Sequence, residues 1–137
     1  MGEKGQSLVE FSISLVFILI LLAGTVEFGV ALFQYIQLRD AAQEGALYGS
    51  ICQDVAQIEL RARHASSSPL DLTDGAVVVG VEFLDKVDAP TVIINPGGAV
   101  RVRMSYVHEI FMPFFAGNDI NISVQVTDTI LMEGSCK

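Results

Sequence analysis

Residues 11–26, between Glu10 and Glu27, contain no ionisable side chain. No proline occurs before Pro69, so nothing in the first half of the chain breaks a helix. Neither cysteine stands in a CxxC, and neither has metal-type ligands beside it. There is no basic stripe either: 8 Lys and Arg face 16 Asp and Glu, for a net charge of -8. Phosphate neutralisation needs such a stripe, so nucleic acid is excluded as a partner. The acidic residues are scattered from Asp54 onward without forming a tail, as on a solvated surface. A glycine-rich phosphate loop is also missing. His64 and His108 have no nucleophile or ligand set around them, and His108-Glu109 reads as a surface pair at a strand end. Asn121-Ile122-Ser123 formally matches a glycosylation acceptor, but alternation within a strand explains it better. The expectation is a non-catalytic protein with no cofactor and no metal.

What is present is oily. Ile13 to Val26 forms an apolar run that includes Leu15 to Leu22. Such a run belongs in lipid or in a dry helix bundle. Spanning the hydrocarbon takes roughly 20 mostly apolar residues, so the count is short unless Glu10 or Glu27 lies at an interface or is paired. Apolar character resumes from Phe28 to Ile36. The spacing predicts one helix from about Gln6 to Ser50, roughly 65 Å long at 1.5 Å per residue. That is about twice the hydrocarbon thickness. The helix therefore crosses and continues outward, as suits a subunit of a larger assembly.

Its outer half differs in character. Glu27, Gln34, Gln37 and Glu44 lie along one side. Ala41, Gly45 and Gly49 recur at i, i+4 and i+8, a small-residue stripe that admits another backbone closely. The stripe meets either a packed sheet or a neighbouring subunit's helix, unless it is ordinary alanine-rich helix.

The remaining chain has room for one modest domain. Residues 53–65 show helical spacing, and Arg61 and Arg63 near the end suit the helix dipole. Ser66-Ser67-Ser68-Pro69 marks a loop. From Ala76 the period becomes that of strands, with candidates Ala76–Leu84, Thr91–Asn95, Ala99–Ile110 and Asp119–Glu133. Asn95-Pro96-Gly97-Gly98 predicts a turn joining two of them in a hairpin. Val100 to Met104 and Ile120 to Thr127 alternate apolar with polar residues. The expected class is α+β: a long N-terminal helix, its inner half transmembrane, whose outer half packs on an antiparallel sheet of 3–4 strands.

Cys52 and Cys136 stand near the two ends of the post-anchor region. One reading is a disulfide tying the C-terminus to the base of the long helix in an oxidising compartment. Closing so long a loop contributes about 4 kcal/mol in the chain-entropy model. The other reading is two unrelated thiols. A membrane anchor implies an exported domain and favours the disulfide.

Met1-Gly2-Glu3-Lys4-Gly5 is too short for an ordinary secretory signal, and Ala23-Gly24-Thr25 imitates its cut site poorly. This leader resembles that of type IV prepilins, above all the tight-adherence branch: a short hydrophilic segment ends in Gly5, and cutting after it makes Glu10 fifth, followed by Phe11. Val26-Glu27-Phe28-Gly29 and the stretch Gln37 to Tyr48 resemble the E-F-G and A-A-R-E-G-A-R-Y elements of TadE/TadG-like pseudopilins. Gln43 and Leu47 stand where that pattern carries arginines. Val100 to Tyr106, Pro113 and the closing strand near Met132-Glu133 resemble the family's C-terminal half.

The resemblance implies a leader over 1–5, a helix over 6–50 with its anchor at about 11–30, and an extracytoplasmic α+β domain over 51–137. Gly5 and Gln6 become the processing site. Glu10, Phe11 and Glu27 become assembly residues. The freed amine of Gln6, on the same or a neighbouring subunit, pairs with Glu10 near the lipid boundary, where a bare carboxylate costs about 2–3 kcal/mol or more. Ser7-Leu8-Val9-Glu10 also reads as a capping box at the helix start. Glu27 either marks the outer interface or pairs with a cation on another chain. The implied partners are other pilin or pseudopilin subunits, a prepilin peptidase, the inner-membrane assembly platform and membrane lipid. The implied location is the bacterial inner membrane with the N-terminus cytoplasmic, then the pilus. Charge alone does not orient it, since Lys4 is offset by Glu3. The rival expectations are a major polymerising pilin and a tethered binding domain that never enters a filament.

Overall fold

A computed structural model of the chain describes residues 3–112 and 117–132. The first helix, α1, is unbroken from Glu3 to Gly49, about 70 Å of rod. It starts upstream of the expected Gln6. Ser7 is therefore inside the helix, and the capping-box reading of Ser7 and Glu10 is corrected, because the orphan amide groups of the start lie earlier. Gly5, at the proposed cut, lies in helical backbone.

A second helix, α2, runs from Val55 to Arg63, shorter at both ends than the expected 53–65. Asp54 caps it, its carboxylate accepting from the Ala56 N–H at 3.0 Å, a bond that satisfies one of the free donors of the first turn. In the loop that follows, Asp71 accepts from the Thr73 hydroxyl at 2.6 Å and the Thr73 N–H at 2.9 Å. The hydroxyl bond first, and the backbone bond second, hold its carboxyl below the usual range.

Three antiparallel strands follow in the order β1-β2-β3: β1 is Val77–Leu84, β2 is Ala99–Glu109 and β3 is Asp119–Thr129. Val81 pairs with Val102, and Val102 with Val126. The expected alternation holds on β2, where Val100, Val102 and Met104 are buried while Arg101 and Arg103 point outward. On that outer face Arg101 bonds Asp88 at 2.8 Å and Glu82 at 3.4 Å.

The expected strand Thr91–Asn95 does not form. Val92 and Ile93 are 96% and 68% exposed, so they bury nothing that would hold a strand in place. The Thr91 side chain accepts from the Ile93 N–H at 3.0 Å and curls the backbone. The Asn95-Pro96-Gly97-Gly98 turn is present, with Gly97 at a φ of +86°, but it leads from a long loop into β2 instead of joining two strands. Its Gly97 N–H donates to the Ile130 carbonyl at 2.9 Å. Pro113 and Glu133 lie outside the described residues.

The outer half of α1 and all of α2 cover one face of the sheet. Leu38, Ala42, Ile58, Val100, Val102 and Met104 make the centre of the core, each no more than 1% exposed. The α2 helix and the sheet together form a head that embraces only the distal part of α1.

Candidate assembly surface along the first helix

Every described side chain from Gly5 to Leu19 is exposed. From Ile20 onward a covered stripe appears: Ile20, Gly24, Glu27, Ala31, Gln34, Leu38, Ala41 and Gly45 are half-buried or buried. The steps alternate between four and three residues, so a single line along the rod meets the head. The stripe is apolar and tight at its far end. A Cβ on Gly45 would lie 3.0 Å from the Cβ of Ala62. One on Gly49 would lie 2.9 Å from a methyl of Val100 and 3.0 Å from Cδ1 of Ile58. Within this chain, then, Ala41, Gly45 and Gly49 meet the molecule's own α2 and sheet rather than an outside helix.

Because Val100 and Ile58 are both fully buried, Gly49→Val has no room. The expected loss is about 1–3 kcal/mol from overpacking, measured by denaturant unfolding of the full chain in detergent. Gly29→Ala is the comparison: nothing lies within 4 Å of its added carbon, and the head is expected to keep its stability.

Polar residues on the same side fasten the head. Gln37, 7% exposed, accepts from the Leu70 N–H at 2.9 Å and donates to the Leu70 carbonyl at 2.5 Å. Its amide thus treats the loop as a strand neighbour. Glu44 meets Arg61 at 2.7 Å, with side chains 39% and 58% exposed; at that exposure the pair is worth at most about 1 kcal/mol.

Glu27 is the membrane-side fastening. One carboxylate oxygen lies 2.8 Å from Nε2 of His108 and accepts from the Phe111 N–H at 3.1 Å. The Glu27 side chain is 14% exposed and that of His108 7%. The expected surface pair His108-Glu109 is therefore corrected: His108 faces inward and reaches α1, while Glu109 is exposed. The partner of Glu27 in this chain is internal. The signal was available in the period of two, since Val100, Val102, Met104 and Tyr106 put His108 on the same inner face.

Glu10 and Phe11 sit on the bare part of the rod. Glu10 is exposed and its side chain meets no partner among the described residues; its carbonyl accepts from the Ser14 hydroxyl at 2.9 Å. Phe11 is 67% exposed. Gln43 and Leu47, the positions that depart from the arginine pattern, lie on the exposed side of α1. Cys52 is 4% exposed and disulfide-bonded; Cys136 lies outside the described residues. No group of three or more His, Cys, Asp or Glu is gathered as for a metal among the described residues.

Apolar exposure does not stop at Glu27. Phe28, Phe33 and Ile36 remain 69%, 63% and 46% exposed on the helix sides that the head leaves open. Beside them a groove of about 750 Å³ runs between α1 and the loop after α2, bounded by Phe33, Ile36, Asp40, His64 and Pro69.

One bare apolar helix, long and apolar enough to cross a membrane, projects from a small α+β head and fits a single-pass membrane protein. Residues 5–47 match the family model of the TadE-like proteins, the family that the N-terminal residues resemble. The match takes in 43 of the 137 residues, less than half of the chain. It covers nearly all of α1 and none of the sheet. No curated protein and no solved structure matches the chain.

Proposed function

We propose that this chain is a minor pilus subunit, a TadE-like pseudopilin. It is made as an inner-membrane precursor, cut after Gly5 by a prepilin peptidase and placed in or beside a tight-adherence filament. The observation that carries this reading is the bare helix. From Leu8 to Leu22 its large apolar residues are 41–71% exposed, apart from half-buried Ile20, and the family match begins at Gly5. Exposed apolar surface of that extent is unsustainable in water and is satisfied first by lipid, then by neighbouring helices. The continued exposure of Phe33 and Ile36 beyond the anchor favours a filament over a lone tether. The head of some 85 residues favours a minor over a major subunit, because major subunits of this branch resemble little more than the helix.

Glu10 carries the assembly step in this reading. Its exposed carboxylate, near the end of the rod, pairs with the amine freed at Gln6 and fixes the register between neighbours. Glu10→Leu leaves the anchor more apolar and still inserted. The expected result is retention of the chain in the inner membrane with at least about a tenfold fall in its abundance in sheared filaments, the equivalent of about 1.4 kcal/mol. Unchanged abundance in filaments excludes the pairing role. Absence of the wild-type chain from filaments, with the chain held in the membrane, leaves the tethered binding domain as the better account.

A further inference from the structure

The head meets α1 before the apolar run is over. Met112 Sδ lies 3.9 Å from where a Cβ on Gly24 would stand, and the Phe111 N–H is tied to Glu27. Residues 8–23, the apolar rod below that contact, bare apart from half-buried Ile20, span about 24 Å at 1.5 Å per residue. The hydrocarbon core is about 30 Å thick. Roughly 6 Å of hydrocarbon is left to be filled at the level of Gly24 to Glu27, and at that level the rod is flanked by the head.

We infer that the tip of the head, Ile110 to Met112, is embedded in the outer leaflet at the foot of α1, with Phe111 in contact with lipid. This inference rests on the membrane-spanning reading of α1. Phe111 is 90% exposed although its backbone is pinned in place, so an apolar ring is held outward beside the foot of the rod, where the boundary of headgroups and acyl chains takes up such side chains. Ile110 is half-buried beside it and Met112, 8% exposed, closes the tip against the helix. The residues that follow, Pro113 to Ala116, lie outside the described part and are left out of the site.

The tip also explains where the Glu27 carboxylate goes. A bare carboxylate facing acyl chains is costly. Here it is turned from lipid and bonded to His108 and the Phe111 N–H. The depth has a limit, too. Glu109 and Asp119 pair in register one step back on β2 and β3, and both are exposed. They stay among headgroups and water, and their charge favours a zwitterionic over an anionic surface.

The chain contains no tryptophan, so each Phe→Trp or Val→Trp variant carries a single reporter. The full chain is reconstituted in phosphatidylcholine vesicles whose acyl chains are brominated either near the headgroup or near the methyl end. Three variants are compared: Phe111→Trp; Phe17→Trp on the bare rod, 65% exposed; and Val92→Trp in the loop at the far end of the sheet, 96% exposed. The expected result is a blue-shifted Phe111→Trp emission quenched more by the shallow than by the deep bromines. Phe17→Trp is then quenched by the deep bromines, and Val92→Trp by neither. Phe17→Trp quenched while Phe111→Trp behaves like Val92→Trp overturns the inference and leaves the anchor standing. Emission of Phe111→Trp shifted to the blue but quenched by neither lipid also overturns it, in favour of a second protein copy over the tip. An unquenched Phe17→Trp removes the membrane-spanning reading, and the inference with it.

Discussion

Leu38→Ala is expected to lower the stability of the head by about 2–5 kcal/mol, the usual cost of removing a fully buried leucine side chain. Leu38 has no exposed surface and sits on the stripe of α1 that the sheet and α2 enclose. Around it are Ala41, Ala42 and Ala46 from its own helix. These short side chains cannot reach into a vacated volume, and the sheet cannot collapse towards a rigid rod, so most of the cavity persists. Leu47→Ala removes the same atoms from a position 57% exposed on the opposite side, and much less than half that loss is expected. Amide hydrogen exchange of β2 in the full detergent-solubilised chain measures both. Equal losses at the two positions would mean that α1 is not the one-sided core helix described above.

The second large effect concerns Cys52. Cys52→Ser is expected to cost about 2–5 kcal/mol, as for removal of a native disulfide from a small exported domain. The proposed partner is Cys136, and the chain's path supports it. The Leu131 N–H donates to the Ser50 carbonyl at 2.9 Å, and the Gln53 amide donates to the Met132 carbonyl at 2.8 Å. The last described residues thus run alongside the turn that carries Cys52. A cross-link there joins the foot of α2 to the chain's end and closes nearly the whole head into one loop. Non-reducing peptide mapping is expected to yield one cross-linked peptide containing both cysteines. Separate peptides, with each cysteine alkylated, would remove the pairing.

Much of this architecture was readable where one physical requirement dominated. An uncharged run of that length has few places to go, so the rod and its bare half were legible from Glu10 to Glu27. The period of two from Val100 to Met104 was legible because one face of a sheet must be buried. The small stripe at Ala41, Gly45 and Gly49 announced a close approach, though not whose backbone made it; that depends on α2 folding back to Ala62, a tertiary event.

The misreadings also have particular causes. Thr91–Asn95 has strand-like residues, but β-propensity records fit to a half-buried surface, and this segment has none to fit. Ser7 and Glu10 have the spacing of a capping box, but a helix extending to Glu3 leaves no free end there. His108 was assigned to the surface by its chemistry when its register placed it inside. A buried histidine needs a partner, and Glu27 is 81 residues away in sequence, which no local pattern reveals.

The central claim is that α1 is a processed pilin-type helix whose bare half waits in lipid for neighbouring helices. It is tested most directly by the mass of the N-terminal peptide of the chain recovered from its own membrane in the presence of the peptidase. The account predicts a chain that starts at Gln6. A chain that keeps Met1, or one that starts beyond Thr25 after an ordinary signal cleavage, contradicts it.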